Sequence, residues 1–516
     1  MDEIKYPIGI QEFSEVREGG YVYVDKTMYV HELARTGKYY FLRRPRRFGK
    51  SLLITTMEAY FLGKKELFKG LAIEELKGEW AEYPVLHLDL NTGKYVDSEA
   101  LECVLDDALC SWENLYGLPE TKQPQDLRFK NVVRKAAEKT GRQVVILVDE
   151  YDKPLLSTFD NTELQEDYRR TLKAFYSVLK TQDRYIKFAF LTGVTKFGKV
   201  SVFSDLNNLN DISMDRRFAD ICGITERELL SQFSEAIGQF ADQAGVSFDE
   251  ACAQLKDRYD GYHFCDGSAG VYNPFSLLKA LSSSELGDYW FETGTPTFLV
   301  ELLKKSDYDL NRLQSGEVEV SELTGVNTYE GNPIPMIYQS GYLTIKGYEK
   351  RFEQYVLGFP NKEVESGFIR QLLPMYADKG RGNTAFDVKR FVKDVERGDP
   401  ESFMTRLKTF FEDADYRISG KREIYFQNVM FVVFKIIGFY TQVERVTSRG
   451  RIDVVIKTQG YIYIIECKLD GSSEDALRQI DEKGYDKPYK MDERKLFKIG
   501  VNFSSETRGI AEWKIK

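Results

Sequence analysis

The stretch RPRRFGKSLL, residues 44–53, decides how the front of this chain folds. It ends like a nucleotide-binding loop of the form G-x-x-x-x-G-K-[ST], in which backbone N–H groups and a lysine surround phosphate. It departs from that form at its start, because Arg44 stands where the first glycine belongs. Gly49, Lys50 and Ser51 all match. The groups that hold phosphate and magnesium are therefore retained, and only the turn of the loop is in question.

The residues on either side of this loop predict a strand, a loop and a helix in that order. An aromatic-rich run, KYYFL, precedes the loop, and apolar residues recur at helical spacing from Leu52 to Phe61. A helix that begins between Gly49 and Ser51 would direct unpaired backbone N–H groups and its positive dipole end at phosphate. Lys50 would reach the β and γ phosphates, and the Ser51 hydroxyl would ligate magnesium.

A second segment, QVVILVDEYDKPL, predicts the other half of a nucleotide site. Its five apolar residues 144–148 indicate a buried parallel strand, which delivers Asp149 and Glu150 to the edge where ligands bind in α/β sheets. Asp149 could hold the magnesium, directly or through water, and Glu150 could polarise the attacking water. A third run, YIKFAFLTGVT, brings Thr192 to a strand end as a sensor of the γ phosphate. Solvated acids and a structural threonine are the alternative interpretation.

Composition limits the class of protein. A chain of 516 residues predicts two to four domains, and 42% hydrophobic with 30% charged residues is typical of globular proteins. No apolar run approaches the roughly 20 residues of a membrane helix, and MDEIKYPIGI lacks a secretion signal, so we expect a cytoplasmic protein. Three histidines and six cysteines without a C-x-x-C pair argue against zinc. Any metal should be a hard cation held by carboxylates.

The middle of the chain changes to a helical pattern after ICGIT. Thr225 with Glu228 predicts a capping box, followed by apolar residues at helical spacing. Farther on, IYQSGYLTI (337–345) and EQYVLGFPN (353–361) predict two strands of a hairpin, and a helix should begin near Lys362. Helices with a hairpin indicate a winged-helix-like lid. Such a module can bind DNA, but beside an ATPase it more often caps the nucleotide.

The rear of the chain carries a second group of chemical residues. Two β-rich runs, IDVVI and YIYIIECK, are joined by KTQG and predict a hairpin. Glu466 and Lys468 share one face of the second strand, and Cys467 points the other way. With a four-residue loop, Asp453 pairs opposite Ile464 and is a diagonal neighbour of Glu466. A magnesium ion between Asp453 and Glu466, with the Cys467 carbonyl as third ligand, would offset the cost of burying carboxylates and polarise a phosphodiester.

Three further features of the rear segment bear on this interpretation. Lys468 could position or deprotonate the attacking water. Glu423 begins the helix EIYFQNVMFVVFKII, and a helix-borne glutamate can complete a metal site. Residues 421–516 hold 18 Lys and Arg against 14 Asp and Glu, an excess that suits a polyanion partner. A structural salt-bridge cluster is the alternative for Asp453, Glu466 and Lys468.

Taken in order, the motifs resemble the bacterial AAA-ATPase-like family, whose members join a divergent P-loop ATPase to a C-terminal PD-(D/E)XK nuclease-like domain. The resemblance covers nearly the whole chain and rests on IGIQEF, YVDKT, RPRRFGKSL, VDEYDKPL, TGVTKFGKVSVFSDLNNL, YDGYHF, VYNPFSLL, YQSGYLTI and LGFPNKEV. The family writes the loop RPRRFGK[ST], so Arg44 is a family feature. The D-x12-E-x-K spacing matches the nuclease core, and Gln479 lies where that superfamily places an accessory glutamine.

The resemblance implies an α/β fold class with three parts. These are a P-loop NTPase domain with a parallel sheet (1–224), a helical or winged-helix-like lid and linker (225–400), and an α/β restriction-endonuclease-like domain (401–516). ATP and Mg²⁺ are the expected cofactors. The expected nucleotide-binding residues are Arg47, Phe48, Gly49, Lys50, Ser51, Asp149 and Thr192. The expected catalytic residues are Glu150, Asp453, Glu466, Lys468 and Gln479. The expected metal ligands are Ser51, Asp149, Asp453, Glu466, Cys467 and Glu423.

The leading functional hypothesis is a nucleotide-gated, magnesium-dependent nuclease that acts on nucleic acid, with DNA favoured. No membrane partner is expected, and oligomerisation is compatible with the sequence. One alternative is a nucleotide-switched regulator that grips nucleic acid without cutting it. Another is a scaffold with two vestigial sites, against which the intact Lys50, Asp149 and Glu466 count. The extra arginines of the loop could contact phosphate, a neighbouring subunit or acids within the fold.

Overall fold

A five-stranded parallel sheet forms the centre of the front of the chain, as the apolar runs predict. The computed structural model gives its strands as β1 (Tyr39–Arg43), β2 (Val85–Asp89), β3 (Val144–Asp149), β4 (Ile186–Gly193) and β5 (Asn210–Asp211). Their order is β2-β3-β4-β1-β5, and every neighbouring pair is parallel. Because β4 lies between β1 and β3, its end stands between the phosphate loop and the acids that follow β3.

The structure describes residues 4–516 with gaps. The gaps are 77–79, 120, 197–207, 294–298, 300–301, 304–305, 307, 314–315, 324–331, 377–383, 413–421, 439–440, 449–450 and 508. It describes only the backbone of 292, 311, 373–376, 384–387, 422–427, 442–448 and 451–453. Among the residues it does describe, every helix is too short or too polar to span a bilayer.

The chain divides into two compact units, Met1–Phe298 with Ser315–Val364 and Leu299–Gln314 with Glu365–Lys516. The division into parts at residues 224 and 400 stays a prediction. The following α-helices belong to the first unit, and the last of them continues into the second unit: Phe13–Glu18, Thr27–Thr36, Lys50–Phe61, Ala72–Leu76, Ser98–Tyr116, Gln125–Thr140, Lys153–Ser157, Thr162–Thr181, Glu226–Gln232, Ser234–Ala244, Phe248–Tyr259, Pro274–Ser283, Tyr289–Glu292, Val320–Leu323, Ile334–Gln339 and Lys362–Tyr376. The first unit has further short turns. Its 3₁₀ turns are Lys65–Phe68, Leu90–Thr92, Asp183–Tyr185 and Arg216–Phe218.

The helical region after the parallel sheet begins as its capping residues predict. The Thr225 hydroxyl accepts a hydrogen bond from the Glu228 N–H, and the Glu228 carboxylate accepts one from the Thr225 N–H at 2.8 Å. Two short antiparallel strands, β6 (Ile224–Thr225) and β7 (Val271–Tyr272), frame these helices. A second small sheet holds β8 (Glu317–Glu319), β9 (Thr344–Glu349) and β10 (Gln354–Gly358) in the order β8-β10-β9.

The predicted hairpin is present in that second sheet, but its first strand begins later than expected. β9 (Thr344–Glu349) pairs antiparallel with β10 (Gln354–Gly358), and the next helix begins at Lys362 as predicted. The strand prediction for residues 337–339 was wrong, because Ile334–Gln339 is a helix. Two prolines at its start explain the difference, since proline at the first helical positions has the backbone angle that suits a helix and no N–H to lose.

The second unit is built on a mixed five-stranded sheet. Its strands are β11 (Gln442–Ser448), β12 (Arg451–Lys457), β13 (Tyr461–Leu469), β14 (Lys495–Ser504) and β15 (Gly509–Ile515), in that spatial order. Only β13 and β14 are parallel, and a helix connects them. The α-helices of this unit are Thr384–Arg397, Pro400–Glu412, Arg422–Gly438 and Ser473–Lys483, with 3₁₀ turns at Leu310–Leu313 and Lys487–Tyr489. The expected α/β fold class is confirmed.

The hairpin of β12 and β13 has a different register from the predicted one. Asp453 pairs directly with Glu466, whereas the four-residue loop had placed it opposite Ile464. The Thr458 N–H donates to the Tyr461 carbonyl at 2.9 Å, so those two residues close the ladder. The turn is two residues long and contains a glycine, which suits tight hairpins. The pairing of residues 453 and 466 is therefore closer than predicted.

Candidate functional site

The phosphate loop leaves the end of β1 and enters the helix Lys50–Phe61, as predicted. Gly49 is the residue before the helix and has φ +89°, a left-handed backbone that favours glycine. A Cβ atom at Gly49 would meet nothing within 4 Å, so the requirement comes from the backbone and not from space. Arg47 also has a left-handed backbone, with φ +67°. Phe48 is buried, with its ring edge-on to Tyr262 at 4.8 Å.

Arg44, at the position of the missing glycine, is a structural residue of the first unit. Its guanidinium is fully buried and donates to the backbone carbonyls of Arg43, Ser213 and Phe218 at 2.8–2.9 Å. It also stacks over the Phe264 ring, with 3.9 Å between the guanidinium carbon and the ring centroid. Burial lowers the pKa of Arg44 to about 10. Acids within the fold were one contact left open for the loop arginines, but the acceptors of Arg44 are backbone carbonyls.

Lys50 lies beside the two acids that follow β3. Its ammonium is buried, 3.1 Å from Glu150 Oε1, and donates to the Pro45 carbonyl at 3.3 Å. Burial alone would lower the pKa of Lys50, but the carboxylates of Glu150 and Asp149 offset it, and the pKa lies above its ordinary value. Lys50 is therefore charged at neutral pH and directs that charge towards the acids of β3.

Asp149, Thr192 and Glu150 meet at the ends of the central strands. The buried Thr192 hydroxyl donates to Asp149 Oδ1, which also accepts from the Glu150 N–H at 3.0 Å. Glu150 has a left-handed backbone with φ +51°, which turns the chain sharply after β3. The structure thus brings together four residues that the sequence singled out in three separate segments: Lys50, Asp149, Glu150 and Thr192.

A cavity of about 530 Å³ opens above the loop, within the size range of small-molecule and cofactor sites. Gly49, Lys50, Ser51 and Glu150 line it, and Arg47 does so too. A smaller cavity of about 90 Å³ adjoins the same loop and has mostly apolar walls. A cavity with charged residues in its wall beside a mostly apolar one suits a ligand with a charged end and a flat apolar end.

Sequence reasoning missed two contributors to this site. Pro7 and residues 8–11 of the IGIQEF motif line the main cavity, and the sequence analysis had used that motif only for the family resemblance. Asp152 is fully buried and accepts hydrogen bonds from the Val194 N–H, the Thr195 N–H and the Thr195 hydroxyl. It fixes the turn after Thr192. Burial, followed by the charge of Glu150, raises the pKa of Asp152 to about 6. Its sequence signal was a third acid two positions after Glu150.

In the second unit, three of the predicted catalytic side chains meet beside β13. Glu466 is fully buried, and the Gln479 amide donates to Glu466 Oε1. The Lys468 ammonium donates to Gln479 Oε1 and lies 3.5 Å from Glu466 Oε1. Gln479 is on the helix Ser473–Lys483 that follows β13. Alternation along the strand places Glu466 and Lys468 on one face, as predicted, and the helix completes the group.

The remaining rear residues are placed by their backbone. Asp453 pairs with Glu466, and Glu423 lies in the first turn of the helix Arg422–Gly438. The side chains of Asp453 and Glu423 lie outside the described residues. Cys467 is buried and pairs with Val501 of β14. The role of its carbonyl as a metal ligand stays a prediction.

The buried Glu466 carboxylate is suited to binding a hard cation such as magnesium. Its Oε2 atom is buried and has no hydrogen-bond partner among the described residues. An isolated buried carboxylate oxygen is costly, and a hard cation is a ligand that removes the cost. The described part of the chain holds no group of three His, Cys, Asp or Glu side chains placed to bind a metal. Glu466 is therefore suited to be one ligand of the metal. The other ligands predicted at this site are Asp453, Glu423 and the Cys467 carbonyl.

Comparison with known proteins gives a family match for each of the two regions that hold these residues. Residues 7–203 match the family model described as "Predicted AAA-ATPase", and residues 421–513 match the PD-(D/E)XK nuclease superfamily. A protein of Azotobacter chroococcum mcd 1, named as an uncharacterized protein in the vnfD 5' region, is 34% identical across 100% of this chain and 99% of its own length. The chain belongs to the AAA-ATPase-like family with a C-terminal PD-(D/E)XK domain.

A solved structure also matches the AAA-ATPase-like chain, with a low TM-score. This is the Aeropyrum pernix ORC2 protein, solved as ADPNP-ADP complexes, at 12% identity. The match covers 67% of this chain and 92% of that one, with a TM-score of 0.22. A match at that score carries no argument about fold or function. The family assignment rests on the family models and the full-length relative.

Buried Glu363, in the first turn of the helix Lys362–Tyr376, should make stability depend on pH. Burial raises the pKa of Glu363 to about 7, and Asp288 adds to the rise while Arg258 opposes it. A glutamate in the unfolded chain titrates near 4.5. The folded state therefore binds the extra proton between those values, and stability falls as pH rises through that window, by about 3 kcal/mol.

Glu363→Gln tests this pH dependence. The variant keeps the acceptor atom and cannot ionise, so its urea unfolding midpoint should change less between pH 4.5 and pH 8 than that of the wild type. It should also be the more stable protein at pH 8. Glu349→Gln, at an exposed position, is the control and should follow the wild type. Parallel pH curves for wild type and Glu363→Gln would refute the assignment.

Proposed function

We propose that the protein binds and hydrolyses ATP at the front cavity and cuts nucleic acid with its C-terminal domain, DNA being the favoured substrate. The observation that carries the first half is that Lys50, Asp149, Glu150 and Thr192 meet at the ends of the central strands, with Lys50 and Glu150 lining the main cavity. The second half is supported by Glu466, Lys468 and Gln479, which form one hydrogen-bonded group. The nucleotide would gate the rear activity.

At the front site, each residue has a separate role in this proposal. Backbone N–H groups near Gly49 bind phosphate, and Lys50 neutralises the β and γ phosphates. Ser51 and Asp149 would hold magnesium, which supplies charge neutralisation on the phosphates when bound. Glu150 orients and polarises the attacking water. Thr192 holds Asp149 and responds to the γ phosphate, and the adjoining apolar cavity accepts the base.

At the rear site, Asp453, Glu466, Glu423 and the Cys467 carbonyl would hold magnesium, which polarises a phosphodiester when bound. Lys468 lies beside Glu466 and would orient the attacking water and offset charge on the phosphate. Gln479 contacts both Glu466 and Lys468 and so fixes their distance. These roles follow from the chemistry of the side chains and from their contacts.

The proposed function is tested by incubating the full-length protein with single- and double-stranded DNA and RNA. Each substrate is offered magnesium or manganese, with and without ATP. Cleavage of DNA that requires a divalent metal and changes with ATP is the expected result. Protein that binds these substrates but cuts none of them under any condition would favour the regulator that grips nucleic acid.

The division of labour between Asp149 and Glu150 gives a prediction at the front site. Glu150→Gln should hydrolyse ATP at least about 100-fold more slowly, because a general base contributes about that much. Its affinity for Mg-ATP should not fall, since the change removes a negative charge beside the phosphates. Asp149→Asn should instead lose magnesium-dependent binding. Calorimetry and phosphate release measure both, and equal loss of binding in the two variants would contradict the assignment.

A further inference from the structure

Arg46, the second arginine of the phosphate loop, contacts one tryptophan through both its backbone and its side chain. Its backbone carbonyl accepts a hydrogen bond from Trp290 Nε1 at 3.1 Å. Its guanidinium lies over the Trp290 ring, 5.2 Å from the centroid, and donates to the Tyr342 hydroxyl at 3.4 Å. Arg46 and Tyr342 both line the main cavity. The position of the Arg46 side chain in the cavity wall therefore depends on Trp290.

Trp290 is itself fixed by contacts on all sides. Its side chain is fully buried, and its ring lies 4.9 Å from that of Tyr342 and 5.2 Å from that of Phe291. Its backbone N–H donates to Glu363 Oε1 at 2.8 Å, and the same oxygen accepts from the Ser276 hydroxyl at 3.0 Å. A tryptophan anchored in this way cannot move without disturbing the elements around it.

The charge of the cavity wall indicates what Arg46 would contact. Its charged lining residues are four cations, Arg46, Arg47, Lys50 and Lys153, and one carboxylate, Glu150. A wall with three more positive than negative charges suits a polyphosphate. A guanidinium offers a planar fork of N–H donors that matches phosphate oxygens.

We propose that Arg46 is a phosphate-binding residue of the nucleotide cavity and that Trp290 is its positioning residue. The proposal rests on the ATP binding proposed above and adds two residues to it. Arg44, two positions earlier, has the same side chain, but its guanidinium donates hydrogen bonds to backbone carbonyls. In this proposal Arg44 stabilises the fold, and Arg46 is positioned by Trp290 to contact the ligand.

The competing explanation is that Trp290 only fills the core. A double-mutant cycle separates the two, because a residue that acts through Arg46 has nothing left to act on once Arg46 is removed. Four full-length proteins are compared: wild type, Arg46→Ala, Trp290→Phe and the double variant. Binding of Mg²⁺ with ATPγS, a slowly hydrolysed ATP analogue, is measured by calorimetry. Phenylalanine keeps one aromatic ring at the buried position and loses the indole N–H together with the five-membered ring, so the hydrogen bond to the Arg46 carbonyl is removed.

Arg46→Ala should weaken binding by about 10- to 100-fold, and Trp290→Phe by about 3- to 10-fold, as expected for a charge-assisted contact and for one hydrogen bond that orients it. The double variant should bind no more weakly than Arg46→Ala alone. Arg142→Ala, a change at an exposed arginine that does not line the cavity, is the matched control and should bind as the wild type does.

Several outcomes would overturn the proposal. Unchanged affinity in Arg46→Ala would do so, and so would a double variant whose loss is the product of the two single losses. If Trp290→Phe does not fold, Tyr342→Phe replaces it in the same cycle, because it removes the hydroxyl that accepts from Arg46. Wild-type protein that binds no nucleotide would overturn the proposed function as well, which distinguishes that failure from failure of this inference alone.

Discussion

Lys50→Ala protein should bind Mg-ATP at least about 30-fold more weakly than the wild type. Truncating one member of a buried charge pair costs about 2 to 5 kcal/mol, and each 1.4 kcal/mol is a tenfold change in affinity. Two effects act in the same direction here. The phosphates lose a buried cation, and the carboxylates of Glu150 and Asp149 are left to repel them. Calorimetry with the full-length protein measures the difference.

The control for this experiment is Lys64→Ala, at an exposed lysine just beyond the helix Lys50–Phe61. It should bind Mg-ATP with wild-type affinity. Lys50→Met keeps the apolar stem in the buried site and guards against an effect of the cavity that alanine leaves. Wild-type affinity in both Lys50 variants would show that the loop does not hold the nucleotide.

Glu466→Gln should reduce metal-dependent cleavage of nucleic acid by about 1,000-fold or more while leaving ATP binding unchanged. A metal-held phosphate gains several kcal/mol of charge stabilisation, and a neutral amide is a poor ligand for a hard cation. Glutamine keeps the shape of the buried side chain, so the fold should persist. Cleavage assays with magnesium and manganese measure the first effect, and calorimetry with Mg-ATP the second.

A readout besides cleavage comes from thermal unfolding. A ligand that binds only the folded state raises its stability, so manganese should raise the unfolding midpoint of the wild type and not that of Glu466→Gln. Glu482→Gln, at an exposed acid near the end of the helix Ser473–Lys483, should respond as the wild type does. Equal manganese stabilisation of wild type and Glu466→Gln would remove Glu466 from the metal site.

The elements of both sites could be predicted because local patterns determine them. The run of five apolar residues before Asp149 and the glycine before Lys50 each indicate one structure, and both elements are present. The rear register could not be predicted to the residue. The number of residues in a hairpin turn is set by which pair closes the ladder. Tyr461 closes it with Thr458 and not with Ile456, which moves the register by two residues.

Contacts between distant segments explain the rest of what the sequence did not predict. Trp290 meets a loop residue 244 positions away, and Glu363 meets Trp290 across 73 positions. Nothing in the local pattern of either residue indicates the partner. The different roles of Arg44 and Arg46 have the same origin, since two identical side chains two positions apart are distinguished only by what packs around them.

The burial of Arg44 makes a change of this phosphate loop to the standard glycine form costly for the fold. A single Arg44→Gly change would restore the missing glycine of the motif. It would also remove the hydrogen bonds that the guanidinium donates to three backbone carbonyls, those of Arg43, Ser213 and Phe218. A cavity would remain beside the Phe264 ring. That variant should therefore be less stable than the present protein. Arginine at this position can be retained for its contacts within the fold, without being better than glycine at holding phosphate.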